Sequence, residues 1–266
     1  MQLRACVLAV ICSAGLLPAQ SPTAASSSSS QKGQNNEGNF VRRFSVGVTL
    51  SVLGLNQISG GTNTTTTKPN SATNVTADAT STDASSRIGY GVTAQVAITD
   101  HFAVAIGGYL RRMGYDLSTT LTTDTTTFIN GVSSTTTTTT STDENTRTRL
   151  LDIPIALRFY GKGRHTPGAR WFVEGGGAWR DVRKVSTSLS STDNAGTVTC
   201  CNNTAAQPAH RNARGFLGGA GAQFIDPFGI RVIPEVRYTR WVSPIFDTPA
   251  THMQRNQVEA TLTLSF

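Results

Sequence analysis

The chain has 266 residues, of which 38% are hydrophobic and 15% charged, with a formal net charge of +7. A water-soluble domain normally carries charge on about a quarter of its residues. The basic residues are scattered along the sequence with no interleaved aromatics, which argues against a nucleic-acid partner. No run of about 18 apolar residues follows residue 19, so no transmembrane helix is expected. That excludes a helical membrane protein and leaves open one that crosses with strands.

The first residues read "MQLRACVLAVICSAGLLPAQ". Arg4 supplies a positive start, residues 5 to 17 are mostly apolar, and Leu17-Pro18-Ala19 resembles a small-residue cleavage site. The pattern predicts a secretory signal peptide over 1–19. Residues 20–41, including "SSSSSQKGQNNEG", read as a flexible polar leader, and 42–266 as one domain. Beyond the signal peptide only Cys200 and Cys201 remain of four cysteines. Adjacent Cα atoms sit about 3.8 Å apart, too close for an unstrained disulfide. They are read as two loop thiols, with a strained vicinal pair or a link to another chain as alternatives.

From residue 42 the chain alternates between period-two segments and polar stretches. The first segment, "RRFSVGVTLSVLG", puts Phe44, Val46, Val48, Leu50 and Val52 on one face and Ser45, Gly47, Thr49 and Ser51 on the other. "RIGYGVTAQVAIT" repeats this with Ile88, Tyr90, Val92, Val96 and Ile98. The third strand runs from Phe102 to about Tyr115. The fourth is "RTRLLDIPIALRFY", with Leu151, Ile153, Ile155, Leu157 and Phe159 opposed by Asp152, Pro154, Ala156 and Arg158. The fifth begins at Arg170, the sixth spans about 213–225, the seventh 230–241, and "NQVEATLTLSF" is the eighth. Strict alternation without a helical period predicts an all-antiparallel, all-β protein.

The connections alternate as well. Asp100-His101, "GKGRHTPGA" and "DPFG" are short. Stretches of about 55–86, 117–146, 184–212 and 242–254 are long, rich in Thr, Ser and Asn, and read as loops. Loops of that length count against a compact soluble domain. Short turns at one end and long loops at the other match an eight-stranded up-and-down transmembrane β-barrel with short periplasmic turns and long extracellular loops.

A soluble sandwich or closed barrel would point its apolar face inward. Three features favour the opposite. The polar parity carries mid-strand charges at Arg111, Asp152, Arg158, Glu174, Arg231, Glu235, Arg237 and Glu259, which points to a barrel interior laced by ion pairs. The same parity is rich in Gly, Ser, Thr and Gln, which suit a crowded interior of eight strands. Trp171 and Trp179 share the apolar parity of the fifth strand. Their separation corresponds to roughly 20 Å along a membrane normal, the spacing of two aromatic girdles. Tyr238 joins that girdle set, with Phe44, Phe159, Phe216 and Phe266 as further candidates.

Three stretches resemble the eight-stranded outer-membrane β-barrel family, which includes the transmembrane domain of outer-membrane protein A. They are "LLDIPIALRFY" (150–160), then "GGAGAQF" (218–224) followed by "PEVRYTRW" (234–241), and the closing "NQVEATLTLSF"; the resemblance as a whole extends over about residues 42–266. The resemblance implies an outer-membrane location in a diderm bacterium, with outer-membrane lipid and the barrel-assembly machinery as partners. It also implies that Tyr238, Val258, Leu262, Leu264 and Phe266 form the signal read during assembly. The Thr-saturated stretches depart from the family and indicate no ligand.

The sequence carries no recognisable catalytic, cofactor or metal-binding pattern. His101, His165, His210 and His252 sit in turns or long loops, and none has a nucleophilic or metal-ligating pattern around it. The expected function is a structural or surface-interaction barrel presenting Ser/Thr-rich segments to an unidentified surface ligand. A narrow porin-like conduit is the alternative, and a surface enzyme the third reading.

Overall fold

The structure is a computed structural model that describes residues 43–165, 168–200, 207–226, 229–248 and 250–266. The expected signal peptide and leader, and the thiols of Cys200 and Cys201, lie outside the described residues. β1 (Phe44–Leu53) is followed by β2 (Ile58–Gly60), β3 (Thr62–Asn70) and β4 (Thr73–Asp83). β5 (Ile88–Ala97) leads into the long pair β6 (Phe102–Ile129) and β7 (Val132–Tyr160). Next come β8 (Arg170–Thr192), β9 (Val198–Cys200), β10 (Asn212–Ile225) and β11 (Arg231–Trp241). β12 (Asp247–Thr248), β13 (Thr251–Met253) and β14 (Asn256–Ser265) complete the order, with no helix among the described residues.

Eight of these strands close on themselves. In the order β1, β5, β6, β7, β8, β10, β11, β14 each pairs antiparallel with the next, and β14 pairs back to β1. The closing register runs from Gly47 opposite Ser265 to Leu53 opposite Glu259. Period-two alternation forces one parity to the inside of such a ring and the other to the outside. In β1 and β14 the alternation of exposed and buried residues is unbroken from end to end.

What is inside is polar. Ser45, Thr49 and Ser51 of β1 are buried, whereas Phe44, Val46, Val48, Leu50 and Val52 are exposed. Inner hydroxyls bond across strands: Thr49 Oγ1 lies 2.8 Å from both Thr93 Oγ1 and Thr263 Oγ1. Space there is tight. A Cβ on Gly176 would stand 2.0 Å from the Ile155 carbonyl oxygen, so only glycine fits between β7 and β8 at that level.

The Thr-rich stretches are strands, which corrects the reading of 55–86 and 117–146 as loops. β6 and β7 continue past the ring as one hairpin, turning at Asn130 and Gly131, whose φ angles of 52° and 78° are those of a type I′ turn. Thr122 faces Thr139, Thr123 faces Thr138 and Thr125 faces Thr136. β4 adds to β6 along Thr73–Asp83, and β3 to β4, widening this projecting sheet. The stretches 184–212 and 242–254 likewise contain the end of β8, β9, β12 and β13. Threonine is β-branched and favours extended backbone, so a Thr run that looks like low-complexity linker is also a strand former.

Both ends of the ring are filled by apolar layers. At the projecting end β2, β12 and β13 form a small sheet whose Ile58 and Met253 pack with Ile245, Phe246, Trp241, Leu150, Met113 and Tyr115. At the short-turn end Ala103, Tyr160, Phe172 and Ile233 form a second cluster.

Candidate functional site

Between those two layers lies a buried polyionic network. Arg111, Asp152, Arg158, Glu174, Arg231, Glu235, Arg237 and Glu259 all point into the ring, and none exceeds 7% exposure. Each is placed by the parity of its strand, on β6, β7, β8, β11 or β14. Seven of them, with Arg180, join in one continuous chain of pairs.

Arg180 grips Asp152 with two bonds, Nε to Oδ1 at 2.5 Å and Nη2 to Oδ2 at 2.7 Å. Arg111 reaches the same carboxylate through Nε at 2.9 Å and pairs with Glu259 through Nη2. Glu259 also receives Arg237 Nη1 at 3.3 Å. Arg237 contacts Glu174 at 3.0 Å and Glu235 at 2.7 Å. Arg158 closes the set, 2.8 Å from Glu174 and 2.6 Å from Glu235. Four guanidinium groups thus meet four carboxylates, and the net charge of the set is zero. Arg231 is buried nearer the short-turn end, opposite Ser265 of β14 and Ile225 of β10.

Burying one charge alone costs several kcal/mol, so such a set is tolerable only if every member finds an opposite partner. Neutral groups complete the shell. Gln95 accepts from Arg158 at 3.1 Å and from the Tyr160 hydroxyl at 3.0 Å. Gln257 accepts from Arg180 at 2.9 Å and from the Trp241 indole at 3.0 Å. The Arg180 guanidinium also lies 4.1 Å from the Trp241 ring centre, a cation–π contact.

Sequence reasoning omitted Arg180, the most deeply buried of these arginines. It follows Trp179 on β8, and its even-numbered parity with Glu174 places it inside. Gln95, Gln257 and Trp241 were missed because their role depends on partners from other strands.

The outer face has the opposite chemistry. Trp171, Trp179 and Tyr238 are exposed, as are Val258, Leu262, Leu264 and Phe266. Trp171 pairs in register with Ala222 towards the short-turn end, and Trp179 with Arg214 towards the projecting end. At the short-turn end Phe159 packs against Phe102 in a tilted arrangement, ring centres 5.3 Å apart, and edge to face against Trp171, ring centres 6.2 Å apart. Tyr90, Trp179, Phe216 and Tyr238 stand on the outer face towards the other end.

Of the four histidines, His101 and His165 are exposed in turns, His252 is exposed on the short central strand β13 of the small sheet, and His210 is exposed beside β10. His101 Nδ1 lies 2.9 Å from the Tyr160 carbonyl oxygen, and His252 Nδ1 2.9 Å from Asp247. Among the described residues no group of three His, Cys, Asp or Glu side chains is placed to hold a metal ion.

Beyond Leu110 of β6 the ring passes towards the projecting sheet. There Tyr115 donates to Glu144 at 2.9 Å. Burial and the neighbouring carboxylate push its phenol up to about 12.

No protein-family model matches the chain, and no curated protein sequence matches it either.

Proposed function

We propose that the chain is an integral outer-membrane protein of a diderm bacterium, an eight-stranded up-and-down transmembrane β-barrel that anchors a Thr-rich sheet outside the membrane. The observation that carries this reading is the inversion of burial around the closed ring. Val46, Val48, Val92, Ile106, Leu157, Val236 and Leu262 are exposed, while arginines and carboxylates fill the centre. In water such an arrangement is unstable, since soluble monomers rarely expose apolar patches beyond a few hundred Å². In hydrocarbon it is what is required: closed hydrogen bonding between strands, apolar residues outward and polar residues inward.

The dimensions agree. Phe102 to Leu110 on β6 and Val258 to Phe266 on β14 bound the outward apolar stretch of their strands. Eight residue steps on a tilted strand rise about 20 Å, close to the roughly 25 Å band of outer-membrane barrels. In this reading outer-membrane lipid and the barrel-assembly machinery are the partners, and the exposed face of β14 is what the machinery engages.

The interior favours an anchor over a conduit. A neutral ion-pair network and two apolar layers stand in series along the axis. An eight-stranded barrel is just wide enough for its side chains to fill.

The test is electrophoretic. Folded protein extracted in mild detergent should migrate differently from a boiled sample on a denaturing gel and should partition with membranes. Protein that stays soluble without detergent, with identical boiled and unboiled mobility, would refute the assignment. Planar bilayers containing the folded protein should show no steady conductance.

A further inference from the structure

We propose that the outward cations at the projecting end of the apolar band form a site for the phosphate groups of an anionic lipid, whose acyl chains lie against the sheet below. The inference rests on the membrane reading above and adds the class of lipid. Arg112, Arg149 and Lys184 stand on β6, β7 and β8, and the register sets Arg112 opposite Arg149 and Arg149 opposite Lys184. Like charges facing across adjacent strands destabilise a sheet.

Nearby cations show how the protein handles such charge elsewhere. Arg147 pairs with Asp116 at 3.1 Å and Arg183 with Asp181 at 2.9 Å. Among the described residues no carboxylate pairs with Arg112, Arg149 or Lys184. The row therefore repels itself and has an anion's worth of attraction to spare. A β-bulge sits at this point: Arg149 faces Lys184 and Leu150 faces Val182, so Arg183 is the extra residue. Bulges of this kind re-aim side chains and are common beside binding sites.

The surroundings select a lipid. The row is one outward step beyond Leu110 and Leu151, where the apolar band ends. A cavity of about 470 Å³ lies against all three cations and is also lined by Ser86 and Ser186. Guanidinium forks match phosphate oxygens two at a time, and cations at this height lie where lipid headgroups sit. On β7, β8 and the next strand of the ring, β10, a groove of about 840 Å³ enters the apolar band. Gly176, Gly177 and Gly215 floor it, Trp179 and Phe216 wall it, and Arg214 stands among its lining residues. Gly177 leaves the depression open, for a Cβ there would meet only the Gly215 carbonyl oxygen, at 3.7 Å. A free anion uses the cations alone. A phosphorylated lipid uses cations and groove together.

The experiment uses the full chain, folded in a neutral detergent and titrated with phosphatidylglycerol or with phosphatidylcholine, with bound lipid counted by native mass spectrometry. Wild type should retain the anionic lipid selectively. Arg149→Gln should weaken that binding roughly fivefold, and the triple change of Arg112, Arg149 and Lys184 to Gln on the order of a hundredfold, following the usual contribution per interfacial cation. Phosphatidylcholine binding should not change. Equal affinity in wild type and the triple variant overturns the proposal, as does complete displacement of the lipid by inorganic phosphate, which would make this a free-anion site. Boiled and unboiled mobility is read on the same samples. A folded, heat-modifiable protein without lipid selectivity sinks this inference alone, whereas loss of heat-modifiability in wild type sinks the membrane reading with it.

Discussion

The arginines inside the ring and those at its outer edge are the same residue under opposite constraints. Inside, Arg111, Arg158, Arg180 and Arg237 are almost fully buried, and each touches at least one carboxylate. At the outer edge, Arg112 and Arg149 are exposed and face each other with no acid between them. The difference is one position in sequence, from Arg111 to Arg112. A strand turns successive side chains to opposite faces, so adjacent arginines enter different solvents. In the interior, charge survives only as a balanced set; at the edge, imbalance persists because water or an anionic surface supplies the counter-charge.

The widest gap between the two regions should appear when one member of each is removed. Arg237→Leu leaves Glu174, Glu235 and Glu259 short of a shared partner, and breaking a buried pair this way costs about 3–5 kcal/mol. Arg149→Leu breaks no pair within the protein and should change stability by less than about 0.5 kcal/mol. Equilibrium urea unfolding in lipid vesicles measures both, and equal effects would dissolve the distinction.

A charge placed on the wrong face comes next. Val92 is exposed on β5 near the middle of the outward apolar run from Ile88 to Ile98, opposite Val48. Val92→Arg should destabilise the folded protein by about 2–4 kcal/mol in bilayers, the cost of a cation near the midplane. An unchanged unfolding midpoint would mean that this face does not meet hydrocarbon.

A smaller effect separates the ring from the projecting sheet. Asn130 holds a φ of 52°, which a β-branched residue adopts only with strain. Asn130→Val should loosen the tip of the β6–β7 hairpin by about 1–2 kcal/mol. Hydrogen exchange should rise there, while Leu150 to Tyr160 stay protected.

The smallest effect is one of pH. The Tyr115 phenol is raised to about 12 in the folded protein, against about 10 for an ordinary tyrosine. The neutral form is thus favoured by folding. Its contribution is intact below about pH 10 and is lost as pH climbs from there through about 12. The packing of Tyr115 on Phe246 should fail in that window, and Tyr115→Phe should remove that part of the alkaline transition. Near-ultraviolet circular dichroism reports it.

Much of the ring was legible in the sequence, for a physical reason. Period two is a local property, so the faces of β1, β5 and β14 could be read from single segments without any knowledge of neighbours. The same parity rule sorted Asp152 from Ile153 and Glu259 from Val258. Applied to Arg180, which shares the parity of Glu174, it gives the inner face as well. The Thr runs failed because composition and conformation disagree there. Polar, repetitive sequence reads as linker, yet β-branching holds the backbone extended and pairing across β3, β4, β6 and β7 does the rest.

Alternation, the positions of the turns and the identity of the inward charges belong to the sequence alone, because each depends on no more than a few consecutive residues. Register belongs to the tertiary structure. Sequence placed the basic residues as scattered; pairing across three strands set Arg112, Arg149 and Lys184 side by side. Pairing also decided that Arg111 shares Asp152 with Arg180 and meets Glu259, a residue 148 positions away. Charges separated so far along the chain become neighbours only when the sheet closes, and that closure turns a list of polar residues into a neutral core and a cationic rim.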